Sequence, residues 1–143
     1  PVVAAGAMMS AQQVCAAMML GACGAQLGSL LLRSEESAWP LSLKDQIPWC
    51  DDTATRLSDV GTGRATRLIP TGIIEALSQA GLAVSSYPGQ LRVLAPIFAE
   101  AIAQNRADLL EMALGQAAQT APKGATCAIV TKLFNDLKDC WSE

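Results

Sequence analysis

The sequence has 143 residues, of which 51% are hydrophobic, 4% aromatic and 16% charged, whereas about a quarter of a typical globular domain is charged. The net charge is −3 and the basic residues are scattered, which argues against nucleic acid as a partner. The chain has no His, so the commonest general base and zinc ligand are both missing. This composition argues against most hydrolases and predicts that the chain is not an enzyme and holds no metal.

The first segment, residues 1–33, has no charged side chain between positions 2 and 32. Good helix formers and the absence of an internal Pro predict one long hydrophobic helix over residues 4–32. That helix would be about 43 Å long at 1.5 Å per residue, more than the ~30 Å core of a bilayer. Its glutamines would need protein partners. Both a transmembrane helix and a helix buried in a soluble assembly therefore stay open.

Small residues recur along this predicted helix at helical spacing. Gly24 and Gly28 form a small-xxx-small pattern, which lets another helix approach closely in a membrane. The predicted helix-packing interface consists of Ala17, Gly21, Gly24, Ala25 and Gly28. We expect the helix to dock through this face.

Sulfur-containing side chains suggest a second interpretation of the same helix. Thioether and thiol ligands suit Cu(I), but a polarizable packing face explains the pattern equally well. The residues concerned are Met8, Gln12, Cys15, Met19 and Cys23. Because the chain has five Cys, at least one is unpaired in an isolated chain. A bridge from Cys50 to Cys127 or Cys140 stays open beside the favoured interpretation of buried, reduced thiols.

The second segment, residues 34–72, changes character, with both charge signs, several Pro and two Trp. It predicts an irregular loop containing a short helix that Asp51 or Asp52 begins and that runs through Asp59. Trp39 and Trp49 follow a hydrophobic stretch and are predicted to anchor the chain at a membrane interface or on a partner. Capping of a soluble core is the alternative role for both rings.

The stretch SDVGTGRA, residues 58–65, resembles the first motif of nucleoside-binding α/β methyltransferases. That motif needs a buried strand before it, whereas here the polar sequence TATRLS precedes it and Arg64 replaces the third glycine. The methyltransferase interpretation is therefore rejected. A loop that holds an anion with Arg64 and Arg67 is the weaker alternative.

The third segment, residues 73–143, is predicted to be a small helical domain. A helix should begin at Pro70 and Thr71 and end near Gly81, and another element should follow Pro88. Pro96 should break that element before a helix over 97–118, and a last helix should cover 125–140. No segment alternates with period two. The predicted fold is all-α: a long hydrophobic N-terminal helix, an irregular loop and a small bundle of four to five helices.

These features predict a non-catalytic structural or linker subunit of a larger, membrane-bound complex, for example a bioenergetic one. Its partners would be other protein subunits, and lipid is a further option. The chain would lie in a membrane, for example an organellar one, after removal of an upstream leader. No cofactor is predicted, although a photosynthetic complex would allow pigment or lipid contact. The alternatives are a structural protein of a virion or other soluble assembly, and a small thiol or Cu(I)-binding protein.

Overall fold

The computed structural model describes residues 1–142, and the side chains of residues 1–140. The end of the predicted segment 73–143 thus lies outside the described residues. The chain forms two compact units: unit 1 contains Pro1–Ala38 and the residues from Ala117 onward, and unit 2 contains Trp39–Gln116. The predicted division into residues 1–33, 34–72 and 73–143 stays a prediction.

Unit 1 begins with a strand, a helix and a second strand. These are β1 (Val3–Ala5), α1 (Ala11–Met19) and β2 (Gly24–Gln26). The two strands pair in parallel, with Val3 opposite Gly24 and Ala5 opposite Gln26. The predicted single helix over residues 4–32 is therefore wrong. Parallel strands are usually covered on both faces and are apolar throughout, so a βαβ unit also produces a long uncharged run.

Two local signals delimit α1 within this run. Ser10 and Gln13 form a capping box: the Ser10 hydroxyl accepts from the Gln13 N–H at 3.3 Å, and the Gln13 side-chain oxygen accepts from the Ser10 N–H at 3.1 Å. Such reciprocal bonds satisfy amides that have no partner inside the helix. At the other end Gly21 takes a φ of 102° and turns the chain, and Cys23 N–H bonds to the Val2 carbonyl at 2.8 Å.

The core of unit 1 lies between α1 and the last helix, α5 (Thr126–Ser142). Its buried residues are Ala11, Leu30, Ile129 and Leu133. Glu36 fixes the start of α5, because its carboxylate accepts from the Thr126 N–H at 2.8 Å and from the Thr126 hydroxyl at 2.6 Å. A carboxylate at a helix N-terminus also interacts favourably with the helix dipole.

Unit 2 combines helices with a three-stranded antiparallel sheet of order β3-β4-β5. Its elements are α2 (Leu41–Lys44), β3 (Arg56–Ser58), β4 (Thr66–Ile69), α3 (Gly72–Ala80), α4 (Gly89–Ala103) and β5 (Met112–Ala113). The largest fully buried side chains are Leu43, Ile47, Leu68, Ile74, Leu110 and Met112. All of these belong to unit 2, which therefore has a core of its own.

Several predicted elements differ from those observed, and the all-α prediction is wrong. The helix expected through Asp59 is replaced by β3, while Asp51 accepts from the Thr53 N–H at 2.8 Å in a turn. Pro96 lies inside α4, and the helix expected over 97–118 gives way after Ala103 to a turn and β5. The predicted helices that became α3 and α5 are confirmed.

Across residues 1–142, no helix is both long enough and apolar enough to cross a membrane. The predicted transmembrane helix is corrected to β1, α1 and β2 with their connecting turns. The membrane localisation inferred from it is corrected with it.

Candidate functional site

One open feature of unit 1 lies where β1 and β2 end. Because the strands are parallel neighbours, their carboxyl ends meet at one edge, which we call the carboxyl edge and define as Gly6, Ala7, Leu27 and Gly28. Gly6 and Ala7 both have left-handed backbone, with φ of 99° and 52°. A residue with a side chain rarely adopts this conformation, and where it does the site is often functional.

Space is available over this edge. At Gly6 and at Gly28 no atom beyond the glycine and its two chain neighbours lies within 4 Å of the position that a Cβ would occupy, and both residues are exposed. The chain enters α1 shortly after Gly6, so the positive end of that helix dipole lies beside the edge. Uncovered backbone of this kind suits an anion such as a phosphate.

The five predicted interface residues do not share a helix face. Ala17 lies in α1 and Gly21 in the turn after it, while Gly24 and Ala25 belong to β2. Gly28 precedes a 3₁₀ turn, Ser29–Leu31, and is the one member of the set at the carboxyl edge. A spacing of four residues aligns side chains only where the backbone is helical, and here the backbone changes conformation after Met19.

The two predicted anchors, Trp39 and Trp49, lie at the start of unit 2. The Trp39 side chain is partly buried, whereas Trp49 is 85% exposed. A role for Trp49 in contacting a partner stays a prediction. The prediction that both rings lie at a membrane interface depended on a transmembrane helix, and residues 1–142 contain no helix that could cross a membrane.

The loop 61–64 is packed against protein and does not surround an open site. Gly63 has a φ of 83°, and a Cβ there would meet the backbone of Ser85 and Tyr87. The Arg64 guanidinium lies 4.5 Å from the centre of the Tyr87 ring, a cation–π contact. Arg67 donates to the Thr55 carbonyl and hydroxyl at 3.3 Å. The two cations of the proposed anion loop are therefore engaged elsewhere.

Gly61, at the start of the same loop, packs against a buried carboxyl group. The Glu111 side chain occupies the position that a Cβ on Gly61 would need, and Glu111 is 9% exposed. Burial raises the pKa of the Glu111 carboxyl, because the charged form loses solvation.

The cysteines are not assembled into a site. None of the five forms a disulfide bond, and within residues 1–142 no cluster of three Cys, Asp or Glu side chains could hold a metal ion. Cys15 and Met19 lie in α1, but Cys23 lies beyond it and donates from its Sγ to the Val2 carbonyl at 3.1 Å. Burial, and then the nearby Asp51 charge, raise the pKa of Cys50, which disfavours its thiolate.

Comparison with known proteins decides the family. The family model for nitronate monooxygenase matches residues 1–136. The chain belongs to the nitronate monooxygenase family. A probable nitronate monooxygenase of Staphylococcus haemolyticus (strain JCSC1435) is 31% identical over 137 residues, which cover 96% of this chain and 37% of that protein. One from Staphylococcus aureus (strain Newman) is 30% identical, with 96% and 39% covered.

Solved structures agree with this assignment. A nitroalkane oxidase from Streptomyces ansochromogenes matches with a TM-score of 0.84 and 28% identity, over 99% of this chain and 40% of that one. FabK from Thermotoga maritima matches with a TM-score of 0.76 over 99% of this chain and 45% of that one. At 21% identity, the FabK match shows the fold alone, a TIM-barrel-like fold. The chain spans less than half of the length of these relatives.

The functional predictions are corrected accordingly. The prediction of a non-catalytic structural or linker subunit is wrong, because the family consists of oxidoreductases. The prediction of no cofactor is contradicted too, since members of this family are typically flavin-dependent. One signal could have located the site: each of the short runs VVAA and AQL is followed directly by a Gly, at positions 6 and 28. A strand followed by a glycine turn has this pattern.

Proposed function

We propose that this chain forms part of the flavin site of an oxidoreductase that acts on nitronates or nitroalkanes. The observation that carries the proposal is the open, glycine-containing carboxyl edge at the end of two parallel strands. Family membership supports the reaction class, and the names of the relatives supply the substrate class. Protein subunits and lipid as partners, and the absence of nucleic acid, stay predictions.

The residues at the carboxyl edge fit the phosphate end of a flavin nucleotide. Gly6 and Gly28 leave open the space that a side chain would fill, so a phosphate could come close to the backbone N–H groups. The N-terminus of α1 adds a favourable partial positive charge. A flavin, when bound, would supply the redox chemistry. The part of this chain would be to hold and orient it.

A charge placed at Gly28 tests this assignment. The Gly28 backbone has a φ of −110°, so a side chain is accepted there without left-handed strain. Gly28→Asp should repel a phosphate and lower the flavin content of the whole gene product by at least tenfold, because one close like-charge contact costs about 1.4 kcal/mol or more. Flavin absorbance per protein, and nitronate-dependent oxygen consumption, provide the measurement.

Two controls separate this effect from a general loss of stability. Gly24→Ala changes a glycine in the same βαβ unit, at a position where a Cβ would make an ordinary contact 4.0 Å from Val3. Asn135→Asp makes the same change of charge on an exposed residue of α5. Both should keep their flavin. Full flavin content in Gly28→Asp, or equal losses in all three variants, would show that the carboxyl edge does not hold the phosphate.

A further inference from the structure

The turn between β1 and α1, residues 6–10, is held to α1 by one side chain. The Gln13 side-chain oxygen accepts from the Met9 N–H at 2.7 Å and from the Ser10 N–H at 3.1 Å. Ser10 returns a bond, because its hydroxyl accepts from the Gln13 N–H at 3.3 Å. Gln13 therefore does more than an ordinary capping box requires, since its oxygen also binds the residue before the cap.

The same turn contains a residue in an unfavourable backbone conformation. Ala7 has a φ of 52°, a left-handed conformation that brings the Cβ of an ordinary residue close to a carbonyl oxygen. Such a conformation persists only where the surrounding structure holds it. Ala7 lies two residues before Met9, so the bonds to Gln13 restrict the chain at the end of the turn that enters α1.

Two amides in this turn are left free. Within residues 1–142, neither the Ala7 N–H nor the Met8 N–H donates to an acceptor, and neither residue belongs to a strand or a helix. A free backbone N–H in a turn is a donor for an anion. Because Gln13 already occupies the amides of Met9 and Ser10, an anion at the carboxyl edge would meet the two amides before them.

We propose that Gln13 is a positioning residue for the flavin phosphate, which it does not itself contact. Its side-chain oxygen holds Met9 and Ser10 in place and thereby fixes the Ala7 and Met8 N–H groups in the conformation that binds the phosphate. This inference rests on the proposed function, because it concerns the same carboxyl edge. It adds that a neutral acceptor on α1, and not a cation, prepares this edge for an anion.

Two flavins that differ only in the phosphate test the role of Gln13. The whole gene product, freed of flavin, is titrated with riboflavin 5′-phosphate and with riboflavin, and the ratio of the two dissociation constants measures what the phosphate contributes. Gln13→Met keeps an unbranched side chain that favours a helix but removes the strong acceptor. It should reduce this ratio about fivefold or more, because two hydrogen bonds that hold the turn are lost, and leave the affinity for riboflavin unchanged.

Gln12→Met is the matched control. Gln12 is the neighbouring residue of α1, its side chain is exposed, and it forms no hydrogen bond in the described part of the chain, so the ratio should not change. Amide hydrogen exchange of the flavin-free protein gives a readout without the cofactor. Gln13→Met should lose protection at Met9 and Ser10 but keep it at Cys23, whose N–H bonds to the Val2 carbonyl at 2.8 Å and reports on the strand pairing.

The outcomes separate this inference from the proposed function. Equal affinity for the two flavins in the unaltered protein, or binding of neither, would contradict the proposed function and this inference with it. A preference for the phosphate that survives unchanged or increases in Gln13→Met would overturn the inference alone. The same holds for an equal loss of affinity for both flavins, or for a ratio that falls as far in Gln12→Met, because either result would show a general structural effect.

Discussion

The two units of this chain differ in the size of the apolar side chains that they bury completely. Unit 2 contains Leu43, Leu68 and Ile74, each at 0% exposure, whereas the most completely buried residues of unit 1 include Ala11 and Ala118. Both units also leave large apolar side chains exposed, such as Leu20 at 90% in unit 1 and Trp49 at 85% in unit 2. The hydrophobicity of a stretch thus does not show which unit buries its large apolar side chains more completely, because the most hydrophobic stretch of the chain lies in unit 1.

The sheets of the two units explain this difference. Unit 1 has two parallel strands, and Val2 and Val3 at its start are 67% and 56% exposed. Parallel sheets are almost always covered on both faces, and two strands alone are marginally stable. The antiparallel sheet of unit 2 needs only one covered face. The β1–β2 sheet therefore presents apolar surface on which further strands and helices could pack, as in a barrel.

The largest expected effect separates the units by stability. Leu68→Ala, in β4, should lower the free energy of unfolding by about 2–5 kcal/mol, because it leaves a cavity in a fully buried site. Leu20→Ala, in unit 1, removes the same atoms from a residue that is 90% exposed and should change it by less than about 0.5 kcal/mol. Urea unfolding measures both. Similar losses in the two variants would contradict the assigned difference in burial.

A smaller, pH-dependent effect should be confined to unit 2. The pKa of Glu111 is raised in the folded protein, so the folded state holds its proton more tightly than the unfolded state does. The contribution of this group is therefore most favourable below the unfolded pKa, near 4.5, and is lost as the pH rises through the folded pKa. Glu111→Gln should be more stable than the unaltered protein at pH 7.

Urea unfolding at a series of pH values checks this expectation. The advantage of Glu111→Gln should shrink as the pH falls toward 4.5, because the unaltered carboxyl then becomes neutral too. Glu75→Gln, on the exposed side of α3, is the matched control and should show no such trend. An advantage that does not vary with pH would indicate a packing effect of the amide and not the cost of a buried charge.

The smallest effect concerns the reactivity of thiols and leaves stability unchanged. Cys50 in unit 2 is 7% exposed and has a raised pKa, whereas Cys127 on α5 is exposed. Because the thiolate is the reactive form, iodoacetamide at pH 7.5 should alkylate Cys127 at least tenfold faster than Cys50. Mass spectrometry of the peptides measures both rates. In urea the difference should vanish, and faster labelling of Cys50 in the folded protein would contradict its burial.

Local signals predicted some elements correctly. Thr71 before an amphipathic stretch and Gly81 after it predicted α3, and Gly81 does take the left-handed conformation expected at a helix end. The last helix was predicted from its apolar stripe alone. The ends and the face of α3 are determined by residues close to one another in the sequence. The apolar stripe of α5 is local too, but its start is fixed by Glu36, which lies 90 residues earlier.

The first 32 residues show why other predictions failed. Good helix formers fill both α1 and the short strands beside it, and a strand of three residues is too short to show alternation. The absence of His was also a poor reason to predict that the chain is not an enzyme. It is a property of a chain that spans 37–39% of its Staphylococcus relatives, and it does not exclude an enzyme.

By itself, the sequence determined the low charge, the absence of His and the positions of α3 and α5, because composition, apolar stripes and the turn residues that flank a helix can be read locally. Only the tertiary structure decided that residues 2–32 form a βαβ unit with glycines at its carboxyl edge. The physical reason is that β1 and β2 are separated by 18 residues in the sequence and are stabilised as strands by hydrogen bonds to each other. Their pairing places Gly6 and Gly28 at the same edge. The short run before each glycine can indicate a strand that ends in a turn, but it does not show that the two strands pair.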